Sequence, residues 1–172
     1  MAAFEQSMKY PALRSQAVAA FLSKSCDLLM ALETELNALD AKVGDGDTGS
    51  TIATGARSLK SHLSKLPLAD NPSLLASISD LLGKSMGGSS GVLLAIMFAA
   101  AGQALKAGVS LPAALQAGLE RMKEIGGAKT GDRTMIDALE PALAILASGK
   151  SLASAAGAAR QGADATAYMT RA

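Results

Sequence analysis

Residues 32–51 read LETELNALDAKVGDGDTGST, and this stretch decides how the chain is built. Leu32, Leu36 and Leu39 continue an approximately helical apolar stripe that starts upstream with Val18, Phe21, Leu22, Leu28 and Leu29. Pro11 suits the first turn of that helix, because its fixed φ fits and its missing N–H has no intrahelical role there. The helix delivers Asp40 at its C-terminal end. Gly44 and Gly46 then break the pattern, and a second helix is predicted from near Ser50, past Arg57, to about Ser64. The result is two helices joined by a loop in which carboxylates are concentrated.

The rest of the chain reads as helix after helix. Hydrophobic residues make up 49% of its 172 residues, but aromatic ones only 3%, and tryptophan is absent. Abundant alanine with few β-branched residues favours closely packed helices over a sheet. Pro67 falls in a connection, and Asn71-Pro72 reads as an N-cap with a first-turn proline, opening a helix with Leu74, Leu75, Ile78, Leu81 and Leu82. Ser110 is expected to cap a helix around Leu115–Met122, and Asp132 the helix holding Met135, Ile136 and Leu139, which Pro141 should kink. Gly149 stops that helix and Ser151 starts the last. The length suits one domain with a sizeable core, and neither repeat nor linker interrupts it. The expectation is a single all-α domain over residues 1–172.

Charge and composition exclude several classes. The formal net charge is +1 with both signs interspersed, which leaves no electrostatic footprint for nucleic acid. Cys26 is the sole cysteine, so no intrachain disulfide forms and a reducing, cytoplasmic setting is expected. Within its helical run it reads as inert packing, and His62 as a surface residue near a helix end. Met1-Ala2-Ala3-Phe4-Glu5 lacks the basic start and apolar core of a secretory leader. The longest apolar run, Val92–Ala101, is about half of what a bilayer requires, so it is expected as a buried helix and no membrane partner is expected.

The loop carries the chemistry. Asp40, Asp45 and Asp47 place three carboxylates in eight residues, which repel one another unless a cation sits among them. All-oxygen ligands suit Mg²⁺ or Ca²⁺. Gly49, Ser50 and Thr51 follow with backbone N–H and hydroxyl donors, as a phosphate requires. Metal plus phosphate points to a nucleotide; a solvated acidic turn is the alternative. The run misses the P-loop because Ser50 replaces its lysine, and the EF-hand because Ser50 and Ala56 stand where glycine and glutamate belong. A phosphatase-type Asp-x-Asp-x-Thr fails at Gly49. Two further glycine-rich loops precede helices: Gly87-Gly88-Ser89-Ser90-Gly91, and Gly126 to Met135, where Arg133 could touch phosphate or pair with Asp132 or Asp137. Three such loops at one end of a bundle would make a nucleotide cleft.

Taken in order, the three segments resemble the nucleotide-binding L domain of the dihydroxyacetone kinases. The segments are Leu39-Asp40 through Asp45-Gly46-Asp47-Thr48-Gly49-Ser50-Thr51, then Gly87-Gly88-Ser89-Ser90-Gly91, then Gly131-Asp132-Arg133-Thr134-Met135-Ile136-Asp137-Ala138-Leu139. The resemblance runs from about residue 12 to the end of the sequence. It implies an antiparallel barrel of amphipathic helices with nucleotide and Mg²⁺ at one end. Asp40, Asp45 and Asp47 match the family's Mg²⁺ aspartates; Thr48, Gly49, Ser50 and Thr51 match its phosphate loop. Ser89 and Ser90 match its second nucleotide loop, and Gly126 and Met135 match positions lining base and sugar. Thr48 stands where the branch that keeps ADP as a bound relay has histidine, so the chain looks like the branch using exchangeable ATP.

The resemblance further implies phosphoryl transfer from ATP to a small ketose or triose held on a partner, a substrate-binding K-type kinase domain or subunit. The substrate-bearing domain with its ketone-binding histidine is not in these residues, and His62 does not match it. The family's closing segment beyond the position of Ala172 is also absent, so turnover by these 172 residues alone is not expected. Further copies of the chain, as a homo-oligomer, are a second partner expectation. No residue reads as a general base, and none is assigned a catalytic role. Other functions within reach are a non-catalytic nucleotide-binding or regulatory module, and the flavin-dinucleotide cyclising lyase known in some fused relatives.

Overall fold

The computed structural model describes the backbone of residues 11–42 and 44–170, and the side chains of 14–42 and 44–170. The readings made of Met1–Glu5 and of the final Arg171-Ala172 lie outside these residues. Eight α-helices and two short 3-10 turns form the described residues, with no strand among them, so the fold is all-α as expected. In chain order these are α1 (Pro11–Ala31), α2 (Glu33–Asp40), α3 (Thr48–Ser61), α4 (Asn71–Ser85), α5 (Gly88–Lys106), α6 (Leu111–Gly126), α7 (Ile136–Ala147) and α8 (Leu152–Ala165). The chain divides within α5, between Ala95 and Ile96, into two compact units.

In the first unit α1 and α2 pack on α3, and α3 packs on α4. The helix expected from Pro11 to Asp40 is two helices, with Leu32 between them at φ −84° and ψ −1°. Helical hydrogen bonding passes through the break, from Leu32 N–H to Leu28 and from Leu36 N–H to Leu32. The break falls one residue before Glu33, whose carbonyl is pressed against Gly49 of α3; a Cβ on Gly49 would collide with it. The inner face of α3 is made of small residues, Gly49, Ala53, Gly55 and Ala56, ending in Leu59. Such a surface lets backbones approach closely. Cys26, 1% exposed, fills the space beside it, and burial pushes its thiol pKa up, as befits an inert packing group.

Helix α4 buries Leu74, Leu75, Ile78 and Leu82 along one stripe. Its cap is Asp70, not Asn71. Asp70 takes an extended backbone and its carboxylate accepts the Ser73 N–H at 3.3 Å, while Asn71 is already helical. The Ser79 hydroxyl donates to the Ala95 carbonyl at 2.7 Å and ties α4 to the first half of α5. His62 closes α3 with Nδ1 2.8 Å from the Ser58 carbonyl, the helix-end position expected of it.

Helix α5 corrects one expectation. It extends beyond Val92–Ala101 on both sides to 19 residues, long and apolar enough by length and composition to cross a membrane. It is also not buried all round. Gly91, Met97, Ala101 and Gly102 are buried, whereas Val92 is 54% exposed. The helix is longer because residues 88–91 and 102–106, which bound the apolar run, are nonetheless helical.

In the second unit α6 packs on α7 and α7 on α8. Leu119, Met122, Ile136 and Leu143 form its centre, each worth about 2 kcal/mol when withdrawn from water. Gly118 lies against the Met97 carbonyl, and Gly162 of α8 against the Asp137 carbonyl of α7. Lys123 links α6 to α7 through Glu140 at 2.9 Å. Ser110 and Ser151 cap α6 and α8 as expected, accepting from Ala113 and Ser154 N–H. Asp132 does not cap α7, which begins only after Met135. Pro141 sits inside α7 without ending it. The carbonyl it deprives of a partner, four residues back, is that of Asp137, and this is the oxygen that faces Gly162.

Candidate metal centre

Asp40, Asp45 and Asp47 each place a carboxylate oxygen within 4.8 Å of the others. Asp40 ends α2 and is half-buried; Asp45 and Asp47 are exposed in the loop that leads into α3. One oxygen of Asp40, Oδ2, accepts three backbone N–H groups, from Gly46 at 2.9 Å, Asp47 at 3.1 Å and Thr48 at 3.4 Å. The loop is therefore wound around the end of α2. Gly44 and Gly46 permit this winding. A Cβ on Gly44 would stand 2.5 Å from Asp40 Oδ1, and Gly46 has φ +79°.

The carboxylates are electrostatically unequal. Desolvation pushes the Asp40 pKa up, but the amides of Thr48, Gly46 and Asp47 and the Thr48 hydroxyl outweigh it and hold the group below the ordinary carboxylate range. Asp47 is raised, first by the negative charge of Asp45, then by desolvation, a hydrogen bond with Asp45 and the charge of Asp40. Asp47 occupies the N-cap position of α3, yet its side chain makes no cap bond. Three oxygens that repel one another, close together and of hard-donor type, fit a divalent cation such as Mg²⁺.

Helix α3 starts at Thr48, two residues before the expected position. Several donors of its first turn have partners within the chain. Ser50 N–H donates to Asn37 Oδ1 at 3.0 Å, Ser50 Oγ donates to Glu33 Oε1 at 3.1 Å, and Asn37 Nδ2 donates to Ser50 Oγ at 3.0 Å. Thr51 N–H donates to the Asp47 carbonyl, and Arg57 pairs with Glu33 Oε2 at 3.0 Å. Asn37 and Glu33 escaped the reading of the sequence. The available signal was spacing, since Glu33, Asn37 and Asp40 recur at helical intervals along α2.

Ser89 and Ser90 lie in the first turn of α5, within the same unit as the aspartates, after Gly88 at φ +67°. Gly126 and Met135 belong to the second unit, at the end of α6 and just before α7. Between them the loop is tied down by Asp137, 2% exposed, which accepts N–H groups from Gly131 at 2.5 Å and Thr134 at 2.8 Å. Asp132 accepts the Lys129 N–H. Arg133, exposed, takes a left-handed φ of +59° and forms no ion pair with either carboxylate among the described residues. Asp137 was legible as a helix residue, not as the anchor of the loop before it.

The dihydroxyacetone kinase of Citrobacter freundii is 55% identical over 144 residues, covering 82% of this chain and 26% of its own length. The human triokinase/FMN cyclase is 46% identical over 129 residues, covering 73% of this chain and 22% of its own. The crystal structure of the C. freundii dihydroxyacetone kinase in complex with AMP-PNP and Mg²⁺ superposes with a TM-score of 0.85 at 52% identity, over 88% of this chain and 29% of that one. The chain thus spans about a quarter of the length of these relatives. A profile of the DAK2 domain matches residues 42–172, from within the aspartate loop onward. With that match and these relatives, the chain belongs to the DAK2 domain family.

Proposed function

We propose that this chain is the nucleotide-holding part of a dihydroxyacetone-type kinase, presenting Mg-ATP to a small ketose or triose carried on a substrate-binding K-type domain or subunit. The observation that carries the reading is the three-carboxylate cluster at the head of α3. The resemblance to a kinase crystallised with AMP-PNP and Mg²⁺ supports it. Asp40, Asp45 and Asp47 would hold Mg²⁺, which when bound would offset the phosphate charge during transfer. The Oδ2 of Asp40 is engaged by the loop amides, which fixes this carboxylate in place. Thr48, Gly49, Ser50 and Thr51 would border the phosphates, with Ser89 and Ser90 of the same unit supplying hydroxyls. The acceptor hydroxyl and any general base belong to the partner, so this chain binds and orients the donor.

Calorimetry tests the binding half. Mg-ATP should bind with an affinity that EDTA removes and Asp45→Asn sharply weakens, while far-ultraviolet circular dichroism stays helical. Equal binding without metal would overturn the assignment of the cluster. Mixing the chain with a substrate domain, ATP, Mg²⁺ and dihydroxyacetone tests the division of labour; robust turnover by the chain alone would refute it. The 46% identity to a triokinase/FMN cyclase supports a second reading, in which the same metal and nucleotide site serves flavin-dinucleotide cyclisation. Incubation with FAD and a divalent cation, followed by chromatography for a cyclic flavin phosphate, separates the two.

A further inference from the structure

We infer that Asn37 is a positioning residue for the aspartate cluster, a clasp that closes the loop carrying Asp45 and Asp47 on the end of α2. The inference rests on the proposed cation site. Asn37 stands one helical turn before Asp40, and its amide grips Ser50 with both ends: Oδ1 accepts the Ser50 N–H and Nδ2 donates to Ser50 Oγ, each at 3.0 Å. An amide suits this pair, because the Ser50 N–H needs an acceptor while its oxygen, whose proton goes to Glu33, can take a donor. The two gripped positions bracket the whole loop, with Asn37 before its first aspartate and Ser50 after its last.

Three observations make the clasp more than local packing. Its site is preformed for close approach, since a Cβ on Gly49 would meet the Asn37 side chain at 2.7 Å and its backbone N at 2.9 Å. It is backed by charge: Glu33 accepts the same Ser50 hydroxyl and is held by Arg57, whose hydrogen bond, ahead of that from Ser50, keeps Glu33 below the ordinary carboxylate range. Finally, it opposes a definite force. Carboxylate oxygens of Asp40, Asp45 and Asp47 lie within 4.8 Å of one another, and the repulsion of like charges at that distance tends to open the loop. Holding both ends of the loop means that a cation need not supply the work of gathering its ligands. Groups that orient metal ligands without touching the metal commonly set affinity in this way.

The test is Mn²⁺ and Mg²⁺ affinity by calorimetry on the 172-residue chain, without nucleotide, for wild type, Asn37→Ala, Asn37→Asp, Ser50→Ala and Asp45→Asn. Asn37→Ala should weaken the cation by about 10- to 100-fold while helicity is retained. Ser50→Ala, which keeps its N–H, should lose less, and should add little to Asn37→Ala in the double variant because both break the same clasp. Asn37→Asp retains the accepting prong but not the donating one, so it serves if the alanine variant does not fold; its apo melting temperature should fall despite the added ligand-type charge. A merely structural Asn37 would lower the melting temperature with and without cation equally and leave the dissociation constant unchanged, and that result overturns the inference. Wild type and Asp45→Asn binding the cation equally would instead overturn the cluster itself, and the clasp with it.

Discussion

Two carboxylates in this chain perform the same local task with opposite outcomes. Asp40 in the first unit and Asp137 in the second each gather backbone N–H groups of a glycine-rich loop, three for Asp40 and two for Asp137. Asp40 reaches forward from the end of a helix. It is half-buried, has two acidic neighbours, and takes all three amides on a single oxygen, Oδ2. Asp137 reaches backward from the start of a helix, is buried, and divides its two oxygens between Gly131 and Thr134. A carboxylate that winds a loop is a candidate ligand only where solvent access and neighbouring charge leave it an oxygen to offer. Where both oxygens are engaged and covered, it is an anchor.

The largest effect expected from this contrast is at the anchor. Asp137→Ala leaves two loop amides without their acceptor in a buried place, and should cost about 2–4 kcal/mol in urea denaturation. Asp137→Asn keeps the shape but turns an N–H toward one of the two donors, so it should recover only part of the loss. If both variants unfold at the wild-type urea concentration, the two carboxylates are not the different objects described here.

Next in size is a pair of glycine substitutions, one in each unit. Gly49→Ala drives a methyl into the Glu33 carbonyl, and Gly162→Ala into that of Asp137. Backbone cannot yield as a side chain tip does, so an overpacking cost of about 1–3 kcal/mol should exceed the gain of about 0.5–1 kcal/mol in helix propensity. The units should then differ in a second readout. Gly49→Ala shifts α2 and with it Asn37 and Asp40, weakening Mg²⁺ binding, whereas Gly162→Ala should lower stability with cation affinity intact.

The smallest expected effect is one of pH. The hydrogen bonds from Arg57 and then Ser50 keep Glu33 below its ordinary value of 4.5. A folded-state pKa below the unfolded one adds stability above the ordinary value, and this is lost as pH falls through the lower folded value. Glu33→Gln should therefore melt lower than wild type near neutrality, and the two melting curves should converge in acid. Parallel curves across the acid range would remove Glu33 from the support of the clasp.

Much of this was legible in the sequence for physical reasons. Periodic leucines and the serines at 110 and 151 act locally, so helix existence and those two caps could be read from short windows. The clustering of Asp40, Asp45 and Asp47 was visible because all three fall within eight residues. The break at Leu32 was not, since it accompanies a carbonyl meeting Gly49 of another helix. The Asn37–Ser50 grip was hidden likewise: thirteen residues of separation carry no local signal. Asp132 has the sequence position of a cap, but the loop is held by the buried Asp137, whose role depends on burial that no short window shows.

The small-residue crossings carry a consequence for how the chain tolerates change. Ala53, Ala101 and Ala114 are 0% exposed, and Gly49, Gly118 and Gly162 meet carbonyl oxygens directly. Where large side chains dominate an interior, the harmful substitutions are those that remove atoms. Along these crossings there is little left to remove and nowhere to add, so the asymmetry is reversed. A saturation library should lose its functional members to enlargement at glycine and alanine positions sooner than to truncation at the few buried leucines. The record of permitted variation in this fold would then be a map of helix-to-helix distance.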